Sequence, residues 1–128
     1  MSPIDSETRR QRGSKATLEL ATSFLDARGN SVVRVAELCK AIGCSERTLR
    51  SAFVKFYGVG PHRYLYIRRL HLVRAALLVA DSSHETVIGV TARLGINDAG
   101  RMAKDYLELF GEYPSATLAR KLAIRQGS

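Results

Sequence analysis

Apolar positions recur every three or four residues along most of the chain, and this spacing predicts helices separated by glycine-bearing corners. Leu18, Ala21, Leu25 and the neighbouring Phe24 mark an amphipathic helix from Lys15 to Ala27, ending near Gly29 and Asn30. Val35, Leu38 and Ile42 share one face of a short helix stopped by Gly43, whose missing Cβ suits a left-handed cap. Ser45 is placed to cap the next helix, which runs to Tyr57, because its hydroxyl accepts from a first-turn amide. The buried stripe of that helix is Leu49, Ala52, Phe53 and Phe56.

Pro61 to Ala80 then reads as one continuous helix. Leu65, Ile67, Leu70, Leu72, Val73, Ala76, Leu77 and Val79 cover most of its circumference, so it must touch packed protein on more than one side. Tyr64 and Tyr66 are expected to pack at its seam. Asp81 to Glu85 is a loop, Thr86 caps a helix from Val87 to Leu94, and Gly95 turns the second corner. Asn97 or Asp98 caps a further helix with Met102, Tyr106, Leu109 and Phe110 inside. Pro114 and Ser115 open a last short helix to about Lys121, with Leu118 and Leu122 facing in.

The pattern is duplicated. Val35, Leu38, Ile42 and Gly43 fall on Val87, Val90, Leu94 and Gly95 at an offset of 52, and Leu49, Phe53, Gly58, Pro61 and Leu65 fall on Met102, Tyr106, Gly111, Pro114 and Leu118 at 53. One residue has been added in the second turn, and Thr91 takes the place of Cys39. An all-α chain follows, with a disordered basic tail over 1–14 that adds non-specific charge, a first helix-turn-helix subdomain over 15–60, a linking helix over 61–80, a second helix-turn-helix subdomain over 81–121 and a short tail over 122–128. With 128 residues the chain has room for one core or for two small cores sharing an element, and the repeat favours the second.

Charge adds a partner class. Against 20 Lys and Arg stand 12 Asp and Glu, a formal net charge of +8, so polyanions are attracted and double-stranded DNA is the expected partner. No stretch approaches the roughly 18 apolar residues of a membrane span, and the first residues are polar rather than signal-like, so no membrane partner and a cytoplasmic location are expected. Cys39 and Cys44 have no second Cys or His pair at metal-ligand spacing and read as reduced thiols, with neither metal nor cofactor implied. His62, His71 and His84 have no carboxylate or nucleophile at a spacing that suggests catalysis, so an enzyme is not expected.

A short helix, a glycine turn and a second helix with a polar outer face is the form that offers side chains to the DNA major groove. In the first copy that face carries Glu46, Arg47, Arg50, Ser51 and Lys55. Arg47 and Arg50, at i and i+3, suit guanine O6 and N7 or phosphate, Ser51 suits either kind of edge, and Glu46 suits cytosine N4. Two arginines alone would be an ordinary solvated face; the duplication and the glycine corners argue otherwise. Thr48 and Lys55 are candidate phosphate contacts, as are Pro114 and Ser115 at a helix start. In the second copy Gly100, Arg101, Ala103 and Lys104 face out, Gly100 at a cost of about 1 kcal/mol relative to Ala but permitting close backbone approach. The second reading helix sums to −1 and the first to +2, so the first is expected to carry more base readout. The linking helix, about 30 Å long at 1.5 Å per residue, is comparable with the roughly 34 Å between major-groove faces one turn apart. The competing function is a helical module that binds an acidic protein partner.

Ser45-x-x-Thr48-Leu49-x-x-x-Phe53, Gly58-x-x-Pro61, Arg69-Leu70, Gly95 with Asp98, Tyr106 and Phe110-Gly111-x-x-Pro114-Ser115 together resemble the C-terminal DNA-binding domain of AraC/XylS-type transcription regulators, over Lys15 to about Lys121. The resemblance implies seven helices, two helix-turn-helix subdomains bridged by a rigid helix, and binding to adjacent major-groove segments at a promoter, usually as an activator recruiting RNA polymerase. It also implies an N-terminal sensor domain, absent from this chain. By position it makes Arg47, Arg50 and Ser51, then Gly100, Arg101, Ala103 and Lys104, the base-facing residues. Ile96 stands where the family usually has an aromatic, which would thin the second core, and Arg34 stands where a capping Ser or Thr is common.

Overall fold

A computed structural model describes the backbone of residues 3–81 and 83–127, and the side chains of these except at 3–12 and 121–127. The described residues form seven helices and no strand: α1 (Pro3–Ala27), α2 (Val35–Ile42), α3 (Glu46–Tyr57), α4 (Pro61–Val79), α5 (Val87–Arg93), α6 (Ala99–Phe110) and α7 (Pro114–Gly127). Two ends differ from the periodicity by more than a single residue. The α1 helix begins at Pro3, where a tail was expected up to Ser14, and α7 runs to Gly127 instead of ending near Lys121. Periodicity registers only buried faces, and Pro3 to Ser14 has no apolar stripe to register. The charge role expected of that tail, and the inward position of Leu122, concern side chains outside the described residues.

The chain divides into two compact units, Met1–Ile67 and Arg68–Ser128, so the division falls inside α4. In the first unit, Leu18, Ala21 and Leu25 of α1, Val35 and Leu38 of α2, Leu49 and Phe53 of α3 and Leu65 of α4 make one buried cluster. Val33, in the connection before α2, joins it and was not anticipated. In the second unit Leu70, Leu72, Val73 and Leu77 of α4, Val90 of α5, and Met102 and Tyr106 of α6 are buried. Val79 departs from expectation, being 75% exposed, because it lies at the last position of α4 where the chain leaves the helix.

The two corners close in the same way. Gly43 and Gly95 adopt positive φ of 70° and 76°, a region glycine enters without a Cβ penalty. The amide after each glycine reaches back to the same place: Cys44 N–H donates to the Cys39 carbonyl at 3.1 Å and Ile96 N–H to the Thr91 carbonyl at 3.0 Å. This six-to-one bond satisfies a terminal carbonyl and carries an apolar contact from the residue after the glycine. Ile96 is buried in that role, so an aliphatic side chain fills the site where an aromatic was missed. Arg69 of α4 adds a guanidinium donor to the Gly95 carbonyl at 3.4 Å. Of the caps, Ser45, Thr86 and Asp98 accept from first-turn amides, whereas Arg34 makes no side-chain cap bond. Burial, then the neighbouring Cys44, raises the Cys39 thiol above its ordinary 9.0, which keeps it protonated at neutral pH.

The same repeat positions use different chemistry to hold α3 and α6. Phe53 meets Tyr64 edge-on at 5.1 Å, and Tyr64 stacks on Tyr57 at 5.0 Å. Their counterparts are Tyr106, Thr117 and Phe110. Tyr106 and Thr117 share a buried hydroxyl hydrogen bond of 2.7 Å, and Phe110 lies 4.6 Å from the Tyr106 ring with the Arg74 guanidinium over the Phe110 ring at 5.3 Å. Phe56 and Leu109, expected in the buried stripes, are instead 44% and 42% exposed; the residues after them, Tyr57 and Phe110, are the ones whose rings meet the anchor rings one turn back, although Tyr57 itself stays 42% exposed. Thr117, fully buried, was not anticipated at all.

Burial raises the Tyr106 phenol above its ordinary 10.0, while the Thr117 bond and the Arg74 charge oppose the shift. A folded-state pKa above the unfolded one leaves this contribution intact below pH 10.0 and loses it as pH rises through the folded value. Thr117→Val, which strands the Tyr106 hydroxyl, is expected to cost about 1–3 kcal/mol in urea unfolding, whereas Thr117→Val with Tyr106→Phe costs much less because both partners are gone. The double variant should also unfold less steeply above pH 10.0 than the parent chain.

Candidate nucleic-acid interface

The first-unit interface is built on α3, whose inner side is committed to Leu49, Ala52 and Phe53, all fully buried. With that side fixed, the periodicity of the helix sends Arg47, Ser51 and Lys55 along one outer strip at i, i+4 and i+8, with Arg50 and Val54 on the strip beside it. All five are exposed. No ion pair among the described residues involves Arg47, Arg50 or Lys55, so three cations share one face without a carboxylate to neutralise them. Such a face repels itself and gains when an anion covers it.

The two strips have different surroundings. Arg47, Thr48, Ser51 and Lys55 line an open groove whose opposite wall is Gly13, Ser14 and Thr17 of α1. Arg47, Arg50, Ser51, Val54 and Lys55 line a second shallow depression made by α3 alone. The α1 wall was not found from the sequence, since nothing in residues 13–17 distinguishes a groove wall from an ordinary exposed turn of helix.

Two of the expected contact residues have intramolecular partners. Glu46 Oε1 lies 2.8 Å from Nε2 of His62, at the start of α4, which holds the carboxylate and leaves its other oxygen for any base contact. The Thr48 amide donates to Ser45 Oγ at 3.1 Å, and Ser45 Oγ donates in turn to Thr48 Oγ1 at 3.0 Å. Thr48 therefore presents its own hydroxyl proton outward, as a donor suited to a phosphate oxygen.

In the second unit Gly100, Arg101 and Lys104 are exposed on α6 and Ala103 is half-buried. Asp98 caps this helix through its Oδ1, at 3.0 Å from the Arg101 amide. Arg101 Nε lies 3.8 Å from Asp105 Oδ2 one turn on, so its charge is partly answered within the helix. Lys104 is in no ion pair among the described residues. The charge contrast between the two helices thus appears in the geometry as well as in the sum. At α7, Pro114 is buried and Ser115 exposed, and the amides of Ala116 and Thr117 both turn back to the Tyr113 carbonyl. That leaves the Ser115 amide and hydroxyl as the outward donors of this helix start.

No helix among the described residues is long and apolar enough to cross a membrane. No group of three or more His, Cys, Asp or Glu among them is placed to hold a metal ion.

Three comparisons bear on this geometry. Residues 38–120 match a family model described as a helix-turn-helix domain. The chain is 35% identical over 101 residues to the probable thc operon regulatory protein of Rhodococcus erythropolis, which covers 79% of this chain and 30% of that protein. It is 35% identical over 94 residues to XylDLEGF operon transcriptional activator 1 of Pseudomonas putida, covering 73% of this chain and 28% of that one. The chain therefore spans about a third or less of the length of these relatives. In fold it is similar to the crystal structure of a transcriptional regulator with an AraC-type DNA-binding domain from Chromobacterium violaceum, with a TM-score of 0.68 at 21% identity over 86% of this chain and 96% of that one.

Gly100 offers a direct test of the α6 surface. A Cβ built there meets only Asp98 Oδ1, at an ordinary contact distance of 3.8 Å. Gly100→Ala is therefore expected to raise stability by up to about 1 kcal/mol, seen as a higher urea midpoint. A loss of DNA affinity in the same variant would mark the backbone there as approaching the duplex.

Proposed function

Because this chain belongs to the AraC/XylS family of helix-turn-helix, DNA-binding transcription regulators, we propose that it reads adjacent major-groove segments of promoter DNA, with α3 as the principal reading helix and α6 as the weaker one. Arg47, Arg50 and Ser51 are the main base contacts, with Glu46 held at the edge of the face by His62. Gly100, Arg101, Ala103 and Lys104 make the second set. Thr48, Lys55 and the Pro114–Ser115 helix start bind backbone phosphate.

The observation that carries this reading is the unneutralised face of α3: Arg47, Arg50 and Lys55 point outward with no carboxylate pairing any of them among the described residues. Desolvating such a face against a protein of mixed charge is costly, whereas phosphates along a duplex meet it at each step. On α6 the Arg101–Asp105 pair reduces what remains for DNA. RNA polymerase as a further partner and a sensor domain elsewhere in a longer protein belong to this proposal, as does a cytoplasmic location. The similar activator of Pseudomonas putida favours activation as the direction of control.

Duplex selected by the chain from random sequence should bind with an affinity that falls steeply with salt, in proportion to the phosphates neutralised. Arg50→Ala is expected to cost about 1–3 kcal/mol and to relax preference at one base position, and Lys104→Ala to cost less, both measured by competition against singly mutated sites. Absence of binding to any duplex at low salt contradicts the proposed function, and equal losses from the two variants contradict the ranking of α3 over α6.

A further inference from the structure

We propose that Val54 selects thymine, by covering the C5-methyl group of one base and so setting preference at a position the arginines do not contact. The proposal rests on α3 entering the major groove, as set out above. Val54 is 48% exposed and shares its depression on α3 with Arg47, Arg50, Ser51 and Lys55, all polar. Isolated apolar side chains on a surface are ordinary. The position of this one is not, since every other residue lining that depression is suited to bind phosphate or a polar base edge.

Val54 lies one helical turn beyond Arg50 on the same side, so the two side chains start about 5–6 Å apart. Base pairs rise about 3.4 Å per step, so a valine and an arginine with that separation meet bases one or two steps apart. On the floor of the major groove the thymine methyl is the one apolar group; the other edges present N7, O6, O4 or amino nitrogen. An isopropyl group against a polar edge strips water from it and returns no hydrogen bond, whereas against a methyl it buries apolar surface. Attraction to thymine and a penalty against the other bases therefore act in the same direction.

The test uses the duplex that the parent chain selects from random DNA. Each thymine is replaced in turn by deoxyuridine, which removes the C5-methyl and keeps the pairing edge. The expected result is that at one or two positions the parent chain binds about fourfold more weakly, the effect of losing one buried methyl contact, and that at those positions Val54→Ala binds the thymine and deoxyuridine duplexes equally. Val54→Ala should fold as the parent does, since Ala is the better helix former and the Val54 carbonyl still accepts from the Gly58 amide. Val54→Thr, which keeps one methyl, should retain part of the thymine preference.

The proposal is overturned if Val54→Ala leaves every thymine effect in place, or if it weakens binding by the same factor on selected and unrelated duplex, as a merely structural or protein-docking valine would. If the parent chain enriches no duplex at all, the DNA-reading function fails first and this assignment with it. If it enriches a duplex whose thymines are all insensitive to deoxyuridine, the function stands and the Val54 assignment alone fails.

Discussion

Each of the two helices proposed to read DNA is held by one large aromatic ring that is fully buried, Phe53 in α3 and Tyr106 in α6. Packing at interior density leaves such a ring one orientation, and burying it is worth a few kcal/mol. Because a helix is a rigid rod at this length, fixing one inward residue also fixes the outward ones: Arg47 and Arg50 lie outside because Phe53 lies inside. The placement of the polar face is in this sense a consequence of core packing. The glycine corners at Gly43 and Gly95 serve the same end, turning the chain tightly between each short helix and the anchored helix that follows it.

The two anchors show one architecture carried by two chemistries. Around Phe53 the contacts are apolar and aromatic, with Tyr64 edge-on and Tyr57 stacked on Tyr64. Around Tyr106 a buried hydrogen bond to Thr117 replaces the edge-on ring, and Arg74 lies over Phe110. A buried hydroxyl is neutral in cost only while its partner is present. The second anchor therefore depends on a specific pair where the first depends on shape, and it has a titrating group at its centre where the first has none.

Outside the cores the difference between the units is electrostatic. The α3 face holds three cations with no carboxylate pairing any of them among the described residues, while on α6 Asp105 answers Arg101 from one turn away. Salt bridges at exposed positions add little stability; their consequence here is to withdraw charge from a surface that would otherwise attract phosphate. The Glu46–His62 contact acts in the same sense on α3, since it gives the one acid of that helix a partner within the protein.

Much of this was legible in the residues alone. Helix order, the duplicated corners, the Ser45, Thr86 and Asp98 caps and the outward face of α3 all follow from local rules, because periodicity, capping and glycine geometry act over a few residues along one chain. Tertiary structure decided what depends on a neighbour distant in sequence. That Phe56 and Leu109 stay exposed while Tyr57 and Phe110 meet the anchor rings turned on which ring the packed neighbours offered, and a stripe in sequence does not say how wide the receiving surface is. Thr117, Val33 and the hold of His62 on Glu46 carry no local signature. The wall that α1 sets beside α3 exists only once the two helices are packed, since a groove is a property of two surfaces and neither one's sequence contains it.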